Sequence, residues 1–385
     1  MTTESERGQI LETVDRLIRD HVAPSAADID RTDQFPHALY QKAAEVGVCA
    51  LWIPEEYGGS ACDLYTQLLV VERIARVSPA FSLTIATCGD GSSPIITGAS
   101  EAIKKEVLPK IASGAYLPCY ALSEPGAGSD AASIKTAARR EGDAYVITGS
   151  KMWCTNGSVG HVYSVFVKTD LAKGAKGISG FVVRRGAKGF TIGADEPLVG
   201  LRGSPTTQLH FDGVRVPATD MLGAEGEGFR IAMATLDEAR LNAAASSLGL
   251  GAAALDHAIE YGRQRIQFER PIIDHQGHQF FLADLAIEYA AARALWRAGI
   301  DELMRGRSRK ASALAAMAKV KCTEFGMRAT VDAVQAMGGN GLSRNYPVER
   351  LMRDAKTFQI FDGTNQIQKI VIGRYLKSEG LPTLD

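Results

Sequence analysis

Apolar residues recur every three to four positions over the first 118 residues, and the same spacing returns from residue 226 to the C-terminus. This is the period of helices that bury one face, so both regions are predicted to be helical. The clearest N-terminal examples are Ile10, Val14, Leu17 and Ile18, followed by Leu68, Val71, Ile74 and Ala75. Proline and glycine at Pro24, Pro36, Pro54–Gly59 and Pro94 are predicted to separate these helices, because proline lacks the amide that a helix interior needs.

Between these regions the pattern changes to short β-prone runs separated by glycine-rich turns, which is typical of a sheet. The runs are Ala144–Thr148, Val162–Lys168, Gly180–Val183, Phe190–Ile192 and Gln208–Phe211. The patterns together predict an α+β fold that is mainly α. Its parts are a helical domain at residues 1–118, a β domain at 119–225 and a second helical domain at 226–385.

Charge and composition exclude several classes of protein. The 43 Lys+Arg and 44 Asp+Glu leave a net charge of −1, whereas a nucleic-acid binder needs a basic excess. No run of 18 strongly apolar residues is present, so no membrane span is predicted. The N-terminus has no apolar signal core, and the six cysteines are scattered without a CxxC pair. These features predict a cytoplasmic protein with reduced cysteines in its core.

Two segments of the β region carry candidate chemistry. The first, Tyr120–Asp130, is a Ser- and Gly-rich turn whose free amides and hydroxyls can bind phosphate or a polar ring edge. An ordinary surface loop explains this pattern equally well. The second, Lys151–Gly157, places Trp153 two residues before Thr155 at a strand end, which suits an aromatic cofactor. Taken alone, such a tryptophan is more often a core residue.

Two further segments lie in the C-terminal region. Gln335–Gly341 has more glycines than a helix C-cap needs, and therefore allows the backbone to approach a ligand closely. In Ile360–Gln368 the simpler interpretation is that Asp362 or Thr364 caps a helix. Alternatively, Asp362 lies against apolar residues, where desolvation raises its pKa toward that of a useful general base. The seven histidines show no metal-ligand spacing, so no metal is predicted.

Taken together, these segments in this order resemble the acyl-CoA dehydrogenase family of flavoenzymes over almost the whole chain. ALSEPGAGSD at 121–130 and QAMGGNGLSRNYPVERLMRD at 335–354 match the two family signatures. KMWCTNG, LDEAR at 236–240 and IFDGTNQIQ match further family segments. The resemblance implies an N-terminal helical domain, a middle β domain and a C-terminal four-helix bundle. It also implies FAD between the β domain and the bundle, and a homotetramer.

The resemblance also assigns residues to the cofactor and the substrate. Residues expected to bind FAD are Tyr120, Leu122, Ser123, Gly128, Ser129, Trp153, Thr155, Arg265, Gln267, Phe268, Gln276, Gln335, Gly338, Gly339, Thr364 and Gln366. Some of these contacts are expected to cross a subunit boundary, and Gln267 stands where many relatives carry Thr. Residues expected to contact the acyl-CoA are Ser129, Asp237, Arg240, Phe361 and Gly363.

The family's catalytic base, normally Glu, corresponds here to Asp362. In a second subgroup the base comes from the helix that carries LDEAR, and the matching residue is Ala239, which cannot act as a base. The resemblance implies FAD-dependent α,β-dehydrogenation of an acyl-CoA, in which Asp362 removes the α-proton. The Gly363 N–H and a flavin hydroxyl are expected to bind the thioester carbonyl. An electron-transfer flavoprotein is the expected electron acceptor.

Two other functions stay open: a flavin oxidase similar to nitroalkane oxidases, which also use Asp, and a non-catalytic acyl-CoA-binding scaffold. Within the dehydrogenase interpretation, the acyl group is expected to be short and branched or alicyclic, such as cyclohexane-carboxyl. The reason is that Asp is shorter than Glu and leaves room beside the reacting carbon. Asp90, between Gly89 and Gly91, is a candidate second acid in the acyl pocket. A cap or turn role is slightly more common for such a residue.

Overall fold

The computed structural model describes residues 2–383 of the chain. Its N-terminal region is helical, and the first helix begins with a capping box between Thr3 and Glu6. The helices are α1 Glu4–Leu17, α2 Ala23–Thr32, α3 His37–Glu45, α4 Leu64–Ala75, α5 Pro79–Gly98 and α6 Glu101–Ala112.

Two of the prolines predicted to separate helices lie inside helical segments instead. Pro24 is in the first turn of α2, which follows α1 directly through a π-helical turn at Ile18–Val22. Pro94 lies within α5, where it removes the helical hydrogen bond to the carbonyl of Asp90. Most of α5 is buried, so tertiary packing holds the helix together despite the lost bond.

The middle region is a twisted, mixed sheet in which all five predicted runs are strands. Its strands are β1 Pro118–Ala121, β2 Ala137–Glu141, β3 Ala144–Thr155, β4 Val162–Lys168, β5 Ile178–Arg184, β6 Phe190–Asp195, β7 Thr206–Pro217 and β8 Met221–Leu222. Their order across the sheet is β6-β7-β3-β2-β4-β5-β8, and β1 pairs with β4 in parallel. The end of β1 lies near the first helix after the sheet, because the Tyr120 hydroxyl donates to the Ala232 carbonyl.

The C-terminal region returns to helices, and a small hairpin lies between its first two. The elements are α7 Gly228–Gln264, β9 Ile266–Gln267, β10 Arg270–Pro271, α8 Gln276–Arg305, α9 Arg309–Met337, α10 Val348–Phe358 and α11 Asn365–Glu379. The predicted fold class is confirmed: it is α+β and mainly α, with a β region between two helical regions along the chain.

Helix α7 connects the three regions, because it packs on α4 and α5, on β5 and on α9. Its Ala- and Gly-rich middle permits this close packing. A Cβ on Gly249 would lie 2.2 Å from the carbonyl oxygen of Glu72, and one on Gly251 would lie 2.6 Å from the ring of Phe325. Within residues 2–383, no helix is both long and apolar enough to cross a membrane. All six cysteines are buried and free, as predicted.

Candidate active site

The signature loop after β1, residues 121–130, is joined to strand β3 by a buried ion pair. Lys151 on β3 is fully buried, and its Nζ donates to the Glu124 Oε1 at 2.8 Å and to the Leu122 carbonyl at 3.0 Å. The Glu124 carboxylate also accepts from the amides of Lys135 and Thr136. Desolvation lowers the pKa of Lys151 to about 8, while Glu124 opposes that shift. This pair holds the loop in one conformation.

Trp153 is half-exposed, with 51% of its surface accessible, so the core role that is more common for tryptophan is wrong here. The cause is a β-bulge: the register of β3 against β7 shifts between Lys151 and Cys154. At the bulge Trp153 has a φ of 62°, which turns its indole out of the sheet. A backbone bond from the Met152 amide to the Ser123 carbonyl, 2.9 Å long, joins this segment to the signature loop.

On the helical side, the candidate base lies in a left-handed turn between α10 and α11. Asp362 and Gly363 have φ values of 53° and 83°. Asp362 is not the cap of α11, because that role belongs to Thr364, whose hydroxyl accepts from the Ile367 amide at 3.2 Å. Asp362 is therefore free of a capping bond.

Desolvation raises the pKa of the Asp362 carboxyl to about 6, and the positive charges of Lys319 and Arg240 oppose the shift. Burial of the carboxyl is the larger effect, although the residue as a whole is only partly buried. A carboxylate with this pKa is ionised at neutral pH and more basic than an ordinary Asp, which is the property that a general base needs.

Asp90 belongs to the same site, and it is neither a cap nor a turn residue because it lies inside α5. Its Oδ1 accepts from the Asn242 Nδ2 at 2.9 Å. Burial raises the pKa of Asp90 well above its usual range, and the negative charge of Asp362 is the next cause. The two carboxyl groups are thus close enough to repel each other, which favours one of them in the protonated form.

Arg240 and Asp237, which the family resemblance assigns to the substrate, form a largely buried ion pair one turn apart on α7. Arg240 Nη1 lies 2.5 Å from Asp237 Oδ1, and the Ser312 hydroxyl donates to the other carboxylate oxygen at 2.7 Å. The buried Nε of Arg240 has no hydrogen-bond partner within residues 2–383. Its charge faces Asp362 and Tyr120, so Arg240 lies beside the candidate base. Ala239 is buried and, as expected, offers no second base.

The structure brings several sequence-predicted residues to this site. Tyr120, at the end of β1, donates its hydroxyl to the Ala232 carbonyl at 3.2 Å, and burial followed by the charge of Asp362 raises its pKa. Phe361 packs on the core beside Phe358, with ring centroids 5.1 Å apart. The other residues predicted here take these positions: Leu122 is buried, Ser123 and Thr155 are partly buried, Gly128, Ser129 and Gln366 are exposed, and Thr364 is the cap of α11.

The remaining residues assigned to FAD are exposed and lie on a different part of the surface. Phe268 is 89% exposed, with a φ of 51°, in the turn between β9 and β10. Asn340 donates to the Tyr261 hydroxyl at 2.8 Å, which places the glycine turn after α9 beside the end of α7. The set consists of Arg265, Gln267, Phe268, Gln276, Gln335, Gly338 and Gly339. Among the described residues, no member of this set is hydrogen-bonded to Asp362, Asp90 or Arg240.

Both groups of residues have the chemistry that a flavin nucleotide needs. Trp153 offers a flat exposed surface and Thr155 a hydroxyl donor, which suit an isoalloxazine ring. A Cβ at Gly338 or Gly339 would have no atom within 4 Å beyond its chain neighbours and the adjoining helical backbone, so a ligand can approach this backbone. Arg265 and Phe268 add an exposed cation and an exposed ring, the groups that bind phosphate and stack on adenine.

Sequence reasoning missed four residues that hold the site together: Glu124, Lys151, Lys319 and Gln368. Lys151 and Lys319 are fully buried, as is Gln368, and Glu124 is 7% exposed. A lone Lys or Glu is normally a surface residue, so composition gives no signal of burial. The one available signal was position, because Glu124 lies inside a signature motif and Lys151 begins another.

Family models match three successive parts of the chain. "Acyl-CoA dehydrogenase, N-terminal domain" matches residues 4–115, the middle domain matches 119–214 and the C-terminal domain matches 226–377. An acyl-CoA dehydrogenase of Bacillus subtilis is 40% identical over 377 residues, which is 98% of this chain and 99% of the relative.

Two further similar proteins are named after the acyl-CoA on which they act. A cyclohexane-1-carbonyl-CoA dehydrogenase of Geobacter metallireducens is 38% identical over 379 residues, covering 98% of this chain and 99% of the relative. Among solved structures, butyryl-CoA dehydrogenase from Megasphaera elsdenii superimposes with a TM-score of 0.93 at 36% identity. That match covers 96% of this chain and 98% of the solved one.

Proposed function

This chain belongs to the acyl-CoA dehydrogenase family, and from that premise we propose that it desaturates a short branched or alicyclic acyl-CoA with Asp362 as the base. Action on the CH–CH bond of an acyl-CoA follows from the family itself. The observation that carries the proposal is the buried Asp362 carboxyl beside Lys319 and Arg240, where burial raises its pKa to about 6 against the opposing charges of these two residues.

In the proposed mechanism Asp362 accepts the α-proton of the thioester. The Gly363 N–H donates to the thioester carbonyl and stabilises the negative charge that develops there. The positive charge of Arg240 beside Asp362 favours the ionised carboxylate before the reaction. FAD, when bound beside Trp153 and Thr155, supplies the acceptor for the hydride that leaves the β-carbon.

The length of the base supports a substrate that fills space beside the reacting carbon. An Asp carboxylate sits back from the Glu position by about 1.5 Å, one bond length. Such a misplacement costs on the order of a hundredfold in rate on a straight chain. A ring or an α-branch compensates for it, and a cyclohexane-1-carbonyl-CoA dehydrogenase is among the relatives.

Asp90 gives the pocket a second acid, which a straight-chain hydrocarbon does not need. Because burial and Asp362 both raise its pKa, we propose that Asp90 is protonated when Asp362 is ionised. In that form it lies at the acyl end of the site as a neutral hydrogen-bond donor. Its hydrogen bond with Asn242 fixes its orientation.

A substrate panel tests the acyl preference. Flavin reduction is followed anaerobically with cyclohexane-1-carbonyl-, isobutyryl-, butyryl-, octanoyl- and palmitoyl-CoA at equal concentration. We expect the first two to react fastest, and the Asp362→Glu variant to shift the preference toward butyryl-CoA. A wild-type preference for octanoyl- or palmitoyl-CoA would contradict the proposal.

The same protein discriminates the two alternative functions. Slow reoxidation in air after reduction by an acyl-CoA supports the dehydrogenase, with an electron-transfer flavoprotein as the proposed acceptor. Rapid peroxide formation with a nitroalkane would instead identify an oxidase. A protein that stays colourless after incubation with FAD would identify a non-catalytic scaffold.

We also propose that the chain binds FAD across the interface of a homotetramer. The exposed residues around Arg265, Phe268 and Gly338 support this, because a monomer leaves them without a partner surface. Linkage then couples assembly to cofactor retention. Arg265→Ala is expected to release FAD and to dissociate the assembly on dilution, measured by light scattering; a stable monomer with full FAD content would contradict this. The cytoplasmic location stays a prediction.

A further inference from the structure

We propose that Lys319 is a positioning residue, which orients the Asp362–Gly363 turn and places a positive charge near the Asp362 carboxylate. This inference rests on the proposed role of Asp362. Lys319 is fully buried in α9, and its Nζ donates to the Gly363 carbonyl and to the Asn365 Oδ1, both at 3.0 Å. The Asn365 side chain is fixed in turn by Thr323 on the same helix.

A second buried side chain, Gln368, also holds this turn. Gln368 Nε2 donates to the carbonyls of Asp362 and Gly363, each at 2.9 Å. A trans peptide directs its N–H away from its C=O, so holding the Asp362 carbonyl aims the Gly363 N–H in the opposite direction. Within residues 2–383 that N–H has no backbone acceptor. The turn is therefore held with its amide free to donate to a thioester.

The two anchors differ in charge. Gln368 is neutral, whereas Lys319 carries a charge and contacts only neutral acceptors, a carbonyl and an amide oxygen. No carboxylate within salt-bridge distance neutralises Lys319 among the described residues, so its field acts on Asp362. Burial lowers the pKa of Lys319 to about 8 and raises the pKa of Asp362 to about 6. Both groups are therefore charged at a pH between these two values.

Other titratable groups face Asp362 as well. They are Asp90 on α5, Arg240 on α7 and Tyr120 on β1, and Glu238 on α7 acts on Asp90. Removing the charge of Lys319 leaves these groups in place. Because a positive charge stabilises the carboxylate, its loss raises the pKa of Asp362.

The test compares Lys319→Met with Lys321→Met. The control removes a lysine two residues away on α9 that pairs with Glu288 at the surface. Single-turnover flavin reduction by the best acyl-CoA is measured as a function of pH. For Lys319→Met we expect the acid limb of this pH–rate profile to shift to higher pH by about one unit. We also expect the plateau rate to fall about tenfold, because the Gly363 N–H is less well oriented. Lys321→Met should match wild type.

Gln368→Met separates orientation from charge. It removes two hydrogen bonds to the turn but no charge, so the plateau rate should fall while the acid limb stays where it is. A calorimetric titration provides a readout without turnover. Acetoacetyl-CoA, which ionises to an enolate, should bind Lys319→Met about tenfold more weakly than wild type, while CoA binds equally.

The outcomes distinguish this inference from the proposed function. If Asp362→Asn keeps normal activity, the assignment of the base is wrong. If Asp362→Asn is inactive but folded Lys319→Met keeps the wild-type acid limb and acetoacetyl-CoA affinity, only the role of Lys319 is overturned. An acid limb that moves equally in Lys321→Met would also overturn it, since the effect would then be one of surface charge.

Discussion

The site has a β wall, formed by the loop after β1 and residues 151–155 of β3, and a helical wall, formed by the Asp362–Gly363 turn and α9. A buried lysine holds each wall, and the two lysines differ in their partners. Lys151 holds the β wall and has a carboxylate, Glu124, at 2.8 Å. Lys319 holds the helical wall and has two neutral acceptors at 3.0 Å. Burial lowers the pKa of each lysine to about 8. The charge of Lys151 is therefore neutralised by Glu124 within the β wall, whereas the charge of Lys319 acts on Asp362.

The β wall should depend more on its lysine for folding. Lys151→Met leaves Glu124 buried and unpaired, and breaking a buried ion pair from one side costs about 3–5 kcal/mol. Urea unfolding of the variant and of Lys321→Met measures this, and the control should change by less than about 0.5 kcal/mol. A loss below about 1 kcal/mol in Lys151→Met would show that Glu124 finds another partner.

Removing both charges of the β wall should recover much of that loss. In the double variant Glu124→Gln/Lys151→Met no buried charge is left uncompensated. We expect it to be about 2 kcal/mol more stable than Lys151→Met alone, measured in the same urea experiment. If the two substitutions simply add, the pair is not coupled and the comparison loses its physical basis.

The helical wall should lose less stability than the β wall. Lys319→Met leaves neutral acceptors unsatisfied, and Gln368 still bonds to the Gly363 carbonyl. The expected cost is about 1–2 kcal/mol of unfolding free energy, below the cost expected for Lys151→Met. Equal destabilisation in Lys319→Met and Lys151→Met would break the contrast between a structural and a functional lysine.

Trp153 gives the smallest expected effect on folding. Its indole is half-exposed at a bulge, so Trp153→Phe should change the free energy of unfolding of the FAD-free protein by less than about 1 kcal/mol. The FAD-loaded protein should lose more, because a bound ligand stabilises only the fold that holds it. Thermal unfolding with and without FAD measures the difference; an equal loss in both forms would argue against flavin contact.

The sequence predicts the fold well because its signals are local. Helical spacing, the β-prone runs and the signature motifs each occupy short segments, and all five predicted runs are strands. Pro94 was mispredicted because packing of the buried α5 outweighs the missing amide. This misprediction also hid the position of Asp90, which lies on a helix rather than in a turn.

Contacts between distant segments could not be predicted from one sequence. Lys151 meets Glu124 across 27 residues, and Lys319 meets Gly363 across 44. The exposure of Trp153 depends on a bulge opposite β7, which no local pattern announces. The sequence therefore indicates the groups that we propose face the substrate, whereas the residues that hold these groups in place emerge only from the fold.

Asp362→Asn tests the central claim most directly, because it removes the base and keeps nearly the same volume. The measurement is single-turnover flavin reduction by cyclohexane-1-carbonyl-CoA near neutral pH, with FAD content and CoA affinity measured on the same sample. If Asp362 is the base, we expect a rate about a thousandfold below wild type with FAD and CoA binding unchanged. A rate within about tenfold of wild type would contradict it, since another group would then have to accept the α-proton.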